Sequence, residues 1–220
     1  LPLRIRTEAL TGARQSAVSA SGALVYVPGE FAGYGTLMRR NPSTQKEAVA
    51  LSIPPAIVGQ FDVASDGSRL AVTSAGIDGM TLTVYDMKTG RGSPWLAGYL
   101  SLVDPRWSPD GTRLVVSARR DGSAPSVTLI GNPDAAAPPE PLGDVAFTPS
   151  QWYDATHILG SLQNSLVRVQ VDGRSVRMDK IESEEGFRAM QSPDGRLIAF
   201  ASGAQSDTSW TPSLSSSASR

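Results

Sequence analysis

Chemistry in a chain of 220 residues with no cysteine and one histidine has to come from a short menu of side chains. The cysteine count excludes a thiolate nucleophile, a thiolate metal site and a disulfide framework. His157 is the sole imidazole, just before Ile158-Leu159. A general base needs a positioned partner, and most histidine metal sites need further ligands. No motif supplies either, so a surface residue at a strand edge is the preferred reading. Asp66, Asp110, Asp154 and Asp194 could be mistaken for a carboxylate cluster. Each precedes a glycine (Ala155 in one case), and capping of a turn explains all four.

The remaining candidates are weaker. Glu184-Glu185 reads as a solvated pair. Gly33-Tyr34-Gly35 hints at a dinucleotide loop but lacks the third glycine and the following helix. Gly-x-Ser-x-Gly does not occur, nor does a phosphate-binding Gly-x-x-x-x-Gly-Lys-Ser/Thr or any kinase signature. The expectation is therefore no catalytic residue, no metal ligand set and no cofactor, with the ligand-binding residues unknown.

Elements that would position such groups come from a repeat. Ser19-Ala20-Ser21-Gly22, Ala64-Ser65-Asp66-Gly67, Ser108-Pro109-Asp110-Gly111, Trp152-Tyr153-Asp154-Ala155 and Ser192-Pro193-Asp194-Gly195 each introduce an apolar run such as Leu114-Val115-Val116. From Gly22 through Gly67, Gly111 and Ala155 to Gly195 the step is about 40–45 residues, the spacing of propeller blades. Proline presets φ, Asp caps the local N–H groups and Gly supplies φ > 0, which together tie two strands into a hairpin. The flanks of the apolar runs are not cleanly polar, as expected of strands covered on both faces. Third strands follow at Leu82-Thr83-Val84-Tyr85-Asp86, Val127-Thr128-Leu129-Ile130 and Leu166 to Val171, each ending in a second turn. A weaker outer strand then leads to the next unit.

These signals predict an all-β fold, a β-propeller of four-stranded antiparallel blades spanning 1–202, with five units visible. His157 falls where other units carry Arg69, Arg113 and Arg196, and Trp107 and Trp152 stand before successive turns as inter-blade packing. The fifth unit shows only its inner hairpin before the Ser-rich stretch 203–220, which reads as a disordered tail. Leu3-Arg4-Ile5-Arg6 looks like a lone outer strand. A partial ring is expected, with a closed five-blade ring as the alternative.

Composition narrows the partners. A net charge of −1 argues against a general grip on nucleic acid or anionic lipid. No apolar run approaches the ~20 residues that span a bilayer, so no membrane insertion is expected of this stretch. The chain begins at Leu rather than Met, without a signal peptide, and is expected to be a piece of something longer.

Ser-Pro-Asp-Gly-x-Arg-Leu at Ser108 to Leu114, and its shorter copy at Ser192 to Leu197, resemble the TolB-type, WD-repeat-like propeller repeat of bacteria. Val84-Tyr85-Asp86-Met87-Lys88-Thr89-Gly90 is similar to that repeat's following strand and turn. The segment from Ser16 to Gly29 resembles the opening of the propeller in bacterial eukaryotic-like serine/threonine kinases. That resemblance implies a non-catalytic sensor region outside the cytoplasm, in the periplasm or at the cell surface, binding a protein or small-molecule ligand. The repeat fits two rivals: the gating propeller of a prolyl-oligopeptidase-like serine peptidase, and a periplasmic TolB-like envelope protein. Tyr153-Asp154-Ala155 departs from the repeat's Pro-Asp-Gly. If the chain binds a ligand, loops on one face are the place for it: Phe31 to Tyr34, Gly76 to Gly79, Tyr99 to Asp104 and Arg119 to Gly122.

Overall fold

The computed structural model describes residues 16–20, 22, 24–27, 36–41, 43–53, 57–144, 146–163, 165–172, 175–185, 187–192, 194, 196–201 and 214–216. Among them there are strands and turns and no helix. The strands form five antiparallel sheets in which sequence order is spatial order. Blade one holds β1 (Ser16–Val18), β2 (Leu24–Tyr26), β3 (Thr36–Arg40) and β4 (Glu47–Ser52). Blade two holds β5 (Ile57–Val63), β6 (Arg69–Gly76), β7 (Gly79–Asp86) and β8 (Gly92–Tyr99). Blade three holds β9 (Ser101–Trp107), β10 (Leu114–Arg119), β11 (Val127–Gly131) and β12 (Glu140–Pro141). Blade four holds β13 (Thr148–Trp152), β14 (His157–Leu162), β15 (Ser165–Asp172) and β16 (Ser175–Glu185). Blade five has β17 (Phe187–Gln191), β18 (Leu197–Ala201) and β19 (Leu214–Ser216).

First strands lie nearest the axis. Each touches its counterpart in the next blade, β1 on β5, β5 on β9, β9 on β13 and β13 on β17. No comparable contact joins β17 to β1 among the described residues, so they form an open arc. The core lies between blades, which accounts for the unbroken apolar runs. Leu70 and Val72 pack toward blade one while Ala71, between them, packs toward blade three. Val115 faces blade four while Leu114 and Val116 face blade two. Strands with both faces covered have no polar alternation to show. Leu70, Leu114 and Ile158 are fully buried, and each contributes about 1.5–3 kcal/mol through burial of its side chain.

The turns share a plan and differ in length. Gly22, Gly67 and Gly111 take φ of 80°, 75° and 68°, a region that an L-residue enters at a cost. Asp66 accepts from the Ser68 amide at 2.9 Å and Asp110 from the Thr112 amide at 3.0 Å. Asp154 does the same for Thr156 at 2.7 Å. The fourth turn is shorter. Tyr153 N–H bonds to His157 O, whereas Ser108 N–H bonds to Arg113 O. Tyr153 fills the place of Ser-Pro, and Ala155 is not among the positive-φ residues.

One expectation needs correction. In the fifth turn Ser192 N–H bonds to Leu197 O and Ser192 Oγ accepts from the Leu197 amide. Leu197, not Arg196, therefore stands in the place of Arg113. The turn keeps its length, and the residue that the sequence lacks falls in the strand register. Within the segment expected to be a disordered tail, Leu214–Ser216 pairs with β18 as a third strand, Leu214 opposite Ala199. That ladder runs through backbone groups, which a Ser-rich stretch supplies like any other. Phe31 to Tyr34, Gly33-Tyr34-Gly35, Gly195, Leu3 to Arg6 and Trp210 lie outside the described residues.

Candidate functional site along the axial strands

Polar side chains on the inner strands reach across the seams between blades. In blades two to five the pairing of the first strand with the second slips by a bulge, at Gly59-Gln60, Asp104-Pro105, Ser150 and residues 188–189. A bulge re-aims the side chains beside it. In blade two it is filled by the buried Thr73 hydroxyl, which accepts from the Gln60 amide at 2.8 Å and donates to Gln60 O at 3.0 Å. In blade three it puts Asp104 at φ 53°. Gln60 Oε1 accepts from the Asp104 amide in the next blade.

At the penultimate residue of β5, β9 and β13 a side chain crosses to the neighbouring blade. Asp62 Oδ2 accepts from the Trp107 amide at 2.8 Å. Arg106 Nε donates to Ser150 O at 2.5 Å. Gln151 Oε1 accepts from the Gln191 amide at 2.7 Å. One topological position thus ties three successive seams with an acid, a base and an amide. Arg106 also reaches Asp104 Oδ1 at 3.0 Å and Pro105 O at 2.8 Å. Asp62 keeps some solvent contact, yet protein surrounds it closely enough that burial raises its carboxyl to about 6. The Arg106 charge and the Trp107 and Val63 amides pull the other way and only partly offset the burial.

A second set of ties joins the turns at the rim. Arg69 stacks on Trp107 at 4.6 Å, pairs with Asp134 at 2.5 Å and donates to Gly111 O. Arg113 stacks on Trp152 at 4.9 Å and donates to Ala155 O at 2.6 Å. The arginine of one blade therefore clamps the tryptophan and turn of the next. His157, at the matching place in blade four, folds back instead. Its Nδ1 lies 3.0 Å from both Asp154 oxygens and 3.0 Å from Thr156 Oγ1. A nucleophile and an acid would need opposite ring nitrogens. Both partners crowd one nitrogen, so this trio is no hydrolytic triad.

The turn aspartates remain apart, one per blade. Ser108 and Thr112 hydrogen bonds hold Asp110 down to about 2, and the Ser68 amide and hydroxyl hold Asp66 below the usual carboxylate range. No group of three His, Asp or Glu residues suited to a metal occurs among the described residues. On the opposite face, Gly76 to Gly79 is a tight hairpin with Ile77 fully exposed. Ser101 to Asp104 belongs to β9, leaving Leu100 as the link from β8. Arg120 stacks on Tyr99 at 4.5 Å beside the loop capped by Asp121. Sequence reading singled out the turns and these loops. It missed Asp62, Arg106 and Gln151, each two residues before the residue whose N–H closes the turn (Ala64, Ser108 and Tyr153), a match that counting from the turn aspartate hides because the fourth turn is one residue shorter.

No protein-family profile matches the chain. A stretch of 73 residues is 36% identical to an uncharacterized peptidase, YuxL, of Bacillus subtilis; it makes up 30% of this chain and 11% of that protein. The structure is similar to that of a putative TolB from Agrobacterium tumefaciens, with a TM-score of 0.69 and 17% identity, covering 88% of this chain and 71% of that one. It is also similar to prolyl endopeptidases whose inter-domain dynamics bear on catalysis and specificity, with a TM-score of 0.59 and 14% identity, over 84% of this chain and 31% of that one. At such identities the likeness is one of architecture: the chain has the fold of TolB-type β-propellers, built from four-stranded antiparallel blades.

Proposed function

We propose that this chain is a non-catalytic propeller module within a longer protein, and that the longer protein is a serine peptidase of the prolyl-oligopeptidase kind. The observation that carries this reading is the stretch 36% identical to a peptidase, joined to a fold that prolyl endopeptidases share. In such an arrangement the arc supplies a binding face and gates access to a hydrolase domain with its own nucleophile. The chain's ionisable groups support that division of labour. His157 is spent on Asp154, and the four turn aspartates cap their own turns.

A second reading rests on the segment from Ser16 to Gly29, which resembles the propeller opening of bacterial receptor-like kinases. There the same module binds a protein or small-molecule ligand outside the cytoplasm. One experiment separates the two. A fluorophosphonate probe should label the full-length protein on a serine outside these 220 residues, and this chain alone should remain unlabelled. An unlabelled full-length protein that phosphorylates itself from ATP would overturn the peptidase reading in favour of the kinase. Labelling or peptide turnover by this chain alone, abolished in His157→Ala, would overturn the non-catalytic assignment.

A further inference from the structure

The three seams tied from one topological position differ in one respect: Asp62 changes charge in mild acid, while Arg106 and Gln151 do not. We propose that the seam between blades two and three is a proton-operated joint with Asp62 as its switch, tightened when the carboxyl takes up a proton and loosened when it gives one up. The inference rests on the seam itself and holds whichever parent protein the module serves.

Geometry isolates the switch. Asp62 crosses the seam to one backbone donor, the Trp107 amide at 2.8 Å. The nearest cation cannot neutralise it by direct contact. All three Arg106 nitrogens bond elsewhere, Nε to Ser150 O, Nη1 to Pro105 O and Nη2 to Asp104. Among the elements packed against β5, β9 contributes Asp104 and Arg106 as its titratable groups, β6 contributes Arg69 and β1 contributes none. Arg69 is engaged at the rim by Trp107, Gly111 and Asp134. A buried carboxylate paired incompletely is destabilising, and a proton removes that charge while the carbonyl oxygen still accepts from Trp107. Burial places the changeover near pH 6.

The chain's four tryptophans make the test simple, since protein labelled with 15N-Trp gives four backbone amide signals. The Trp107 amide should shift with a midpoint at about pH 6, and its hydrogen exchange, corrected for the intrinsic rate, should slow on acidification. The Trp152 amide is the internal control. It holds the matching place on β13, beyond a seam tied by Arg106, and should show neither change. In Asp62→Asn the Trp107 titration should vanish. A Trp107 amide that is flat between about pH 4 and pH 8 would overturn the proposal from the unaltered protein alone, even if the variant fails to fold. A titration that persists in a folded Asp62→Asn would overturn it equally.

Discussion

Removing the Arg113 guanidinium tests whether neighbouring turns are joined by a specific clamp or are merely adjacent. The guanidinium carbon lies 4.9 Å from the centre of the Trp152 ring, and Nη2 donates to Ala155 O at 2.6 Å. A cation–π contact at a half-exposed site contributes about 0.5–1 kcal/mol, rising toward 2 where water is excluded. A hydrogen bond from a charged donor adds about 1.5–3 kcal/mol when buried and less at this rim, where solvent screens it. Arg113→Ala should therefore cost about 1–3 kcal/mol, above the roughly ±0.5 kcal/mol of an ordinary surface change. Arg113→Lys keeps the charge, loses the flat stacking surface and should fall between. Urea unfolding of Arg113→Ala, Trp152→Phe and the double variant gives the coupling, expected at about 0.5–1.5 kcal/mol. Strict additivity, or an Arg113→Ala cost within surface scatter, would refute the clamp. Arg69→Ala should cost at least as much, since Arg69 adds the Asp134 ion pair to the same stack.

Gly111→Val should cost about 1–3 kcal/mol through the φ of +68°, since an added Cβ would meet no neighbour nearer than 3.7 Å. Ala155→Gly should change thermal stability little, and equal tolerance at the two positions would show that they share one backbone after all. The pH profile should have its optimum in mild acid. The Asp110 carboxyl, held at about 2 when folded, stabilises above its ordinary value and loses that contribution as pH falls toward 2. Asp62 has the opposite sign: its contribution is full below its ordinary value near 4 and is lost as pH rises through about 6. Thermal melts across pH should therefore decline on both sides, and Asp62→Asn should flatten the neutral side by at most about 3 kcal/mol. A wild-type profile that rises steadily to neutrality would contradict this sign.

What the sequence determined by itself is local and periodic. Pro-Asp-Gly or its relatives before an apolar run specify a hairpin through the φ of one glycine and the caps of one carboxylate, and contacts a few residues apart suffice. Repetition of that hairpin, with a third strand after it, was enough to read Leu114, Val115 and Val116 as covered on both faces and the architecture as stacked blades. The tertiary structure alone decided what spans a seam. Asp62 and Trp107, Arg106 and Ser150, and Gln151 and Gln191 are partners 40 to 45 residues apart. Three chemically different side chains fill that one position, so no residue type repeats to announce it. The bulges that bring Gln60 and Asp104 to the axis depend likewise on the partner strand's register. Leu197 rather than Arg196 takes the clamp position because the closing hydrogen bonds count backbone residues, which spacing from the glycine could not reveal. Ser215 opposite Ile198 shows the same limit at the end of the chain. An open blade edge can order a polar segment through backbone bonds whose partner the segment itself does not encode.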